Sequence, residues 1–258
     1  MSESSNLFHI FWYKATRNEK SMILSICCLY SFLCYGITAL PFWFKQPIFL
    51  CKSINNEFSQ CTENEACVNE NGFITDSING SFSLIVELNL FCDRQYIKRF
   101  LQSSTFLGGF FGCLTNLIFY VKAQDRKFAL IILGILYNIG NLGILMHNSN
   151  DFLVGTYFFV MSYAIMLGNT YCFMILNEYL EGDVAKTGTI FMNIFMGGLA
   201  IIFEVIAAIT DCNWKVLFIS SLIPSLLTVF YLIFYKNEKG VKEILSKTVS
   251  TFILLFKL

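Results

Sequence analysis

Six apolar runs alternate with polar stretches along this chain, at Ser21 to Phe42, Phe100 to Val121, Phe128 to Met146, Phe152 to Leu176, Gly188 to Thr210 and Val216 to Tyr235. Crossing about 30 Å of hydrocarbon takes roughly 20 helical residues, and each run is long enough to do so. From the third run to the sixth the connections are short polar breaks such as "HNSND" and "DCNWK", so successive helices run antiparallel. The pattern predicts an all-α membrane protein with six transmembrane helices. Residues 1–20 are then a cytosolic lead-in, 21–42 the first span, 43–99 a long polar loop between helices 1 and 2, 100–235 the other five spans, and 236–258 a tail.

Composition supports lipid as the main solvent. Of 258 residues 55% are hydrophobic and 14% charged, whereas soluble domains average about a quarter charged. The implied partner is the lipid bilayer. A net charge of zero gives none of the basic footprint that nucleic-acid binding needs, so that class is set aside.

The opening "MSESSNLFHIFWYKATRNEK" lacks a small-residue cleavage site, and the apolar run after it is too long for a signal-peptide core. Orientation follows from the basic residues near the span ends. Lys14, Arg17, Lys20, Lys122, Arg126, Lys127, Lys186, Lys236, Lys239, Lys242, Lys247 and Lys257 fall on one side. Lys45, Lys52, Arg94, Lys98, Arg99 and Lys215 fall on the other. The richer side is cytosolic, which puts the 43–99 loop outside, in an oxidising space, with the plasma membrane as the expected site. Cys51, Cys61, Cys67 and Cys92 in that loop can form two disulfides in any of three connectivities. Asn79, in Asn79-Gly80-Ser81, is a glycosylation acceptor on the same side. Cys27, Cys28, Cys34, Cys113 and Cys172 lie within spans and read as small buried hydrophobes.

The loop end carries a more specific signal. "GFITD", Gly72 to Asp76, and "SLIVELNLFCDRQYIKRFLQSSTFLGG", Ser83 to Gly109, resemble the organic cation and anion transporters of the major facilitator superfamily, through Glu87, Leu90, Cys92, Asp93, Gln102, Ser103, Leu107 and Gly108. The order of parts is similar too, as are "NEY" at Asn177 to Tyr179 and "NWKVLF" from Asn213. The resemblance covers the N-terminal six-helix half of that family. It departs between helices two and three, where Lys122, Arg126 and Lys127 are the remnant of a charged cytosolic motif, Val121 stands for its Asp and Gln124 for its Gly. It implies transport of a small organic ion through a cavity lined by helices one, two, four and five. A transporter of this kind works with two six-helix halves. A second half or another subunit is therefore an expected partner, and a non-transporting structural or docking subunit on the same half fold is the alternative. A receptor-like sensor rests on the loop alone.

Glu204, in "GGLAIIFEVIAAIT", is read as mid-span in helix five, where an ionisable group costs at least about 2.5 kcal/mol unless it meets a cavity or a partner. It is the leading candidate for substrate or ion binding, with a protonated packing residue or a subunit contact as the other reading. Asn169 and Tyr171 in helix four and Asn141 in helix three are candidates for the same polar face, with Thr170, Asn138 and Asn193 beside them, and interhelical packing is the competing reading for each. Gly108 and Gly112 have the spacing of a close helix crossing. His9 and His147 are too far apart to suggest a metal site. No catalytic or phosphate-cradling pattern occurs, so neither an enzyme nor a cofactor is expected. In the tail, Val241, Ile244, Leu245, Val249, Phe252 and Phe256 share one helical face and predict an amphipathic segment on the cytosolic membrane surface.

Overall fold

A computed structural model describes residues 13, 16–53, 57–69, 72–75, 83–118, 123–146, 150–179, 182–210 and 213–234. His9, Asn79, Lys122, His147 and the 236–258 tail lie outside the described residues.

The first apolar run forms α1, Arg17–Thr38. It stops short of the predicted Phe42 because Pro41 has no amide hydrogen for the Ile37 carbonyl. The helix breaks at Ala39 and resumes as the short α2, Leu40–Trp43. There follow β1 (Phe49–Lys52), β2 (Phe58–Cys61), α3 (Glu63–Val68), β3 (Phe73–Thr75), α4 (Leu84–Glu87) and a 3-10 turn at Cys92–Arg94. The remaining helices are α5 (Gln95–Ile118), α6 (Ala123–Leu145), α7 (Asp151–Tyr179), α8 (Gly182–Ile209) and α9 (Trp214–Phe234).

Five of these helices, α1, α6, α7, α8 and α9, are long and apolar enough to cross a membrane, which marks a multi-pass membrane protein. α5 is as long as the others, but Lys98, Arg99, Gln102, Ser103, Ser104, Thr105 and Asn116 make it more polar. It also begins at Gln95 rather than Phe100, so the 43–99 boundary placed its first turn in the loop.

The chain is mostly helical, in line with the all-α expectation, and the loop adds one small sheet. The sheet is three-stranded and antiparallel, of order β2-β1-β3, and in it Leu50 faces Gln60 on one side and Ile74 on the other. Phe49, Phe73 and Phe91 meet edge to face beneath it, with ring centres 5.6 to 5.7 Å apart. Of the three possible disulfide connectivities the fold selects Cys51–Cys61 and Cys67–Cys92, with Cα separations of 5.8 and 5.3 Å. Thr62 caps α3 in a reciprocal box with Glu65. The Thr62 N–H bond holds the Glu65 carboxyl below its usual range, so this cap is lost only as pH falls through that lowered range.

The loop is bolted to the helices rather than tethered beside them. Leu84, Ile85 and Leu90 are fully buried in the same core cluster as Trp43, Trp214 and Phe218. Glu87 accepts a 2.9 Å hydrogen bond from Trp214 Nε1 and a 2.7 Å ion pair from Lys215 at the start of α9. Arg94 forks onto both carboxylate oxygens of Asp151, the first residue of α7, at 2.8 Å, and donates to the Leu88 carbonyl at 2.9 Å. These pairs are partly exposed, so each contributes on the order of 1 kcal/mol.

Six pairings dominate the bundle: α5 with α7, α6 with α7, α1 with α8, α1 with α7, α6 with α9, and α1 with α9. The set is closed under one exchange, α1 for α7, α5 for α8 and α6 for α9. That exchange turns α1–α8 into α7–α5 and α6–α7 into α9–α1, and returns α1–α7 and α6–α9 to themselves. Exchanged helices run in opposite directions. In α1 and α7, Tyr30 meets Phe173 while Cys34 meets Asn169. In α6 and α9, Gly134 meets Val229 while Asn138 meets Ser225.

α5 and α7 run parallel and nearly touch backbone to backbone. A Cβ at Gly108 would overlap the Phe159 carbonyl, and one at Gly112 would sit 2.8 Å from the Tyr163 carbonyl oxygen. Nothing lies within 4 Å of a Cβ built on Gly198. Gly108→Val is therefore expected to destabilise the purified chain by about 1–3 kcal/mol or more, and Gly198→Ala to leave it unchanged. Thermal unfolding in detergent, comparing the two variants, checks this contrast.

Candidate functional site

The spacing Tyr35, Thr38, Phe42 places three side chains on one face at the end of α1 and across the Ala39 break. Against them α8 brings Ala200, Phe203 and Glu204, and the six enclose a cavity of about 60 Å³. Two aromatic rings form its wall, for Tyr35 stacks on Phe203 with ring centres 3.7 Å apart. Thr38 Oγ1 donates to the Tyr35 carbonyl at 3.1 Å. The buried Tyr35 hydroxyl has no hydrogen-bond partner.

Glu204 itself is exposed. It is not mid-span as read from the sequence: it stands five residues before the end of α8 at Ile209, roughly 8 Å along the axis, on the side of the bundle that carries the sheet. The apolar pattern runs on past it through Val205 to Ile209, so nothing in the pattern marks the helix end. Among the described residues it makes no hydrogen bond or ion pair. α8 is also the least covered of the five spans, with 17% of its apolar window buried against 61% for α1. An ionisable group in an apolar helix calls for a cavity, a partner or water beside it.

One turn along the same face of α1, Cys34 accepts a 3.4 Å hydrogen bond from Asn169 Nδ2 of α7, while Asn169 Oδ1 is buried with no partner. Glu204 and Asn169 thus flank one stripe of α1. The other candidates do not join them. Tyr171 is 3% exposed and has Arg126 of α6 among its neighbours. Arg126 is itself buried, so this member of the charged remnant lies against the bundle, while Lys127 is next to it in α6. Asn141 is fully buried, and neither atom of its amide has a hydrogen-bond partner.

Asn138 accepts a 2.5 Å bond from Ser225 of α9, and Tyr137 donates to the Phe32 carbonyl of α1 at 3.0 Å. α6 therefore turns its polar residues inward, toward α1 and α9, where they hold helices together. Asn193 is exposed and, among the described residues, bonds the Thr189 carbonyl of its own helix. The predicted common face divides into an interior set on α6 and an open set on α1, α7 and α8.

Sequence reasoning missed Tyr35, Thr38, Phe42 and Phe203. Their helical spacing and the Phe203-Glu204 neighbourhood were the available signals, but which face of the first span meets the fifth depends on packing. No protein-family model matches the chain, and a search of curated proteins finds no match.

The two polar sets predict opposite behaviour. Ser225→Ala strands the buried Asn138 carbonyl and is expected to cost about 1–3 kcal/mol. Glu204→Gln is expected to change stability by no more than about 0.5 kcal/mol. Unfolding of the purified variants distinguishes them, and an equal loss at Glu204 makes it a packing residue.

Proposed function

We propose that these helices form one half of a carrier for small organic ions, built on the plan of the organic-ion transporters of the major facilitator superfamily. In this reading α5 spans the membrane with the other five, and the segment carrying the sheet lies outside the cell at the plasma membrane. A second six-helix unit, on the same polypeptide or another, faces α1, α5, α7 and α8.

One observation carries the reading: the closed exchange of α1, α5 and α6 for α7, α8 and α9. Oppositely directed three-helix repeats nested in a six-helix half are the plan of that superfamily. Two further observations support it. The face left open by this packing holds Glu204, and the two disulfides in the loop suit an oxidising space.

The chemistry of the cavity favours a cation. A carboxylate set among the rings of Tyr35, Phe42 and Phe203 attracts an ammonium group both by charge and through the ring faces, whereas an organic anion would meet the carboxylate as a like charge. Thr38 lines the same cavity.

Expression in cells with uptake measured for a small quaternary ammonium ion and for an aromatic carboxylate tests this. Ammonium uptake above mock-transfected controls is expected, with carboxylate uptake at control level. Glu204→Gln is expected to lower ammonium uptake on the order of tenfold, equivalent to about 1.4 kcal/mol. Absence of flux for both ions, from a chain that reaches the surface, would leave the non-transporting docking subunit as the reading. The topology is tested separately. Glycosidase treatment is expected to shift the mobility of the wild-type chain and not that of Asn79→Gln.

A further inference from the structure

On the side of the bundle opposite the sheet, α1 and α9 border a groove of about 370 Å³, lined by Ser21, Leu24, Ser25 and Cys28 of α1 and by Leu227, Thr228 and Tyr231 of α9. Its hydroxyls are already engaged within the two helices. Ser25 donates to the Ser21 carbonyl at 2.8 Å and Thr228 to the Pro224 carbonyl at 2.8 Å, while Ser21 and Tyr231 bond to each other. A polar solute gains little there. Leu24 and Leu227 are exposed, and with the Cys28 thiol they offer an apolar surface.

The end of the groove carries a charge. Arg17, Ser21, Leu24, Ser25 and Cys28 recur at helical spacing and share one face of α1, so Arg17 stands one turn beyond the groove on the same stripe. It is exposed and, among the described residues, makes no ion pair. Lys20, three residues on, flanks that stripe. The apolar part of α1 begins at Lys20, and that of α9 ends at Phe234. The helical rise then puts Arg17 roughly 4–5 Å outside the apolar span, while the groove, from Ser21 to Cys28, runs roughly 10 Å into it. A cation at headgroup depth above an apolar cleft is complementary to a molecule with an anionic head and a hydrocarbon tail. Guanidinium suits the head, because it meets a phosphate through two parallel hydrogen bonds.

We propose that the α1–α9 groove holds one acyl chain of an anionic phospholipid whose phosphate pairs with Arg17. The chain lies against Leu24, Cys28 and Leu227 and so touches both helices. A phosphatidylcholine headgroup brings its own ammonium to the two cations and is held less well. Under the orientation proposed above, this leaflet is the cytosolic one, where anionic lipids gather. The site itself does not depend on solute transport.

Native mass spectrometry of the purified full chain reads the selectivity. With phosphatidylglycerol and phosphatidylcholine of the same acyl chains, the wild type is expected to retain the glycerol lipid at least severalfold more, and Arg17→Gln to retain the two equally. Equal retention by the wild type, or an unchanged preference in Arg17→Gln, would overturn the proposal. A phosphatidylglycerol with a photoactivatable diazirine on one acyl chain reads the place. Linked peptides are expected to contain Leu24, Cys28 or Leu227, and Leu227→Trp, which narrows the cleft from an exposed position, is expected to lower their yield severalfold. Cross-links confined to other helices, or an undiminished yield in Leu227→Trp, would also overturn it. So would displacement of the lipid by inorganic phosphate at equal concentration, which would make Arg17 a site for free anions.

Discussion

α7 can stand where it does only because its neighbours lack side chains at the points of contact. Gly108 and Gly112 let α5 approach the backbone of α7 around Phe159 and Tyr163, and Gly140 does the same for α6, where a Cβ would sit 3.0 Å from the Tyr157 carbonyl oxygen. Within lipid there is no hydrophobic drive to bring apolar helices together. Close van der Waals approach at small residues is what holds them. From that three-helix slab the rest follows. α7 supports α1 through Leu33 against Gly168 and Ile165 against Gly36, and α1 in turn carries α8 and α9.

The slab also explains why the loop is rigidly placed. α7 and α9 both begin on the sheet side, and each supplies one anchor: Asp151 to Arg94, and Trp214 with Lys215 to Glu87. Between the anchors the apolar turn at Leu84 and Ile85 enters the helix core, while the two disulfides fix the sheet to the chain that leads into α5. Glu87, Cys92 and Arg94, close together in sequence, thus serve three different attachments. That concentration of polar residues against an apolar run is a joint between an aqueous domain and a helical one.

Five of the six expected spans were legible because hydrocarbon imposes a length and a composition, and both are written in single stretches of sequence. Their ends were less so. Pro41 truncates α1 by a backbone rule visible in the sequence, yet the amphipathic first turn of α5, with Lys98 and Arg99, reads equally well as loop. The sheet was hidden because its strands are only three or four residues long and owe their stability to disulfides and to three phenylalanines distant in sequence. Glu204 was visible as a lone charge in an apolar run. Its companions were not, since Tyr35, Phe42 and Phe203 look like any other aromatics until packing turns α1 toward α8.

The distribution of polar groups separates what is finished in this bundle from what is not. Asn138, Tyr137 and Ser225 are buried and bonded across helices, which is how neutral polar groups stabilise membrane helices. Asn169 is half satisfied, with its amide nitrogen on Cys34 and its oxygen free. Glu204 meets neither a donor nor a cation among the described residues, and the helix that carries it is mostly uncovered. Bonding is thus complete at the Asn138–Ser225 contact, partial at Asn169, and absent both at Glu204 and at the Asn141 amide of α6. Among the described residues, α8 is the span that the bundle covers least, and Glu204 stands on its uncovered side.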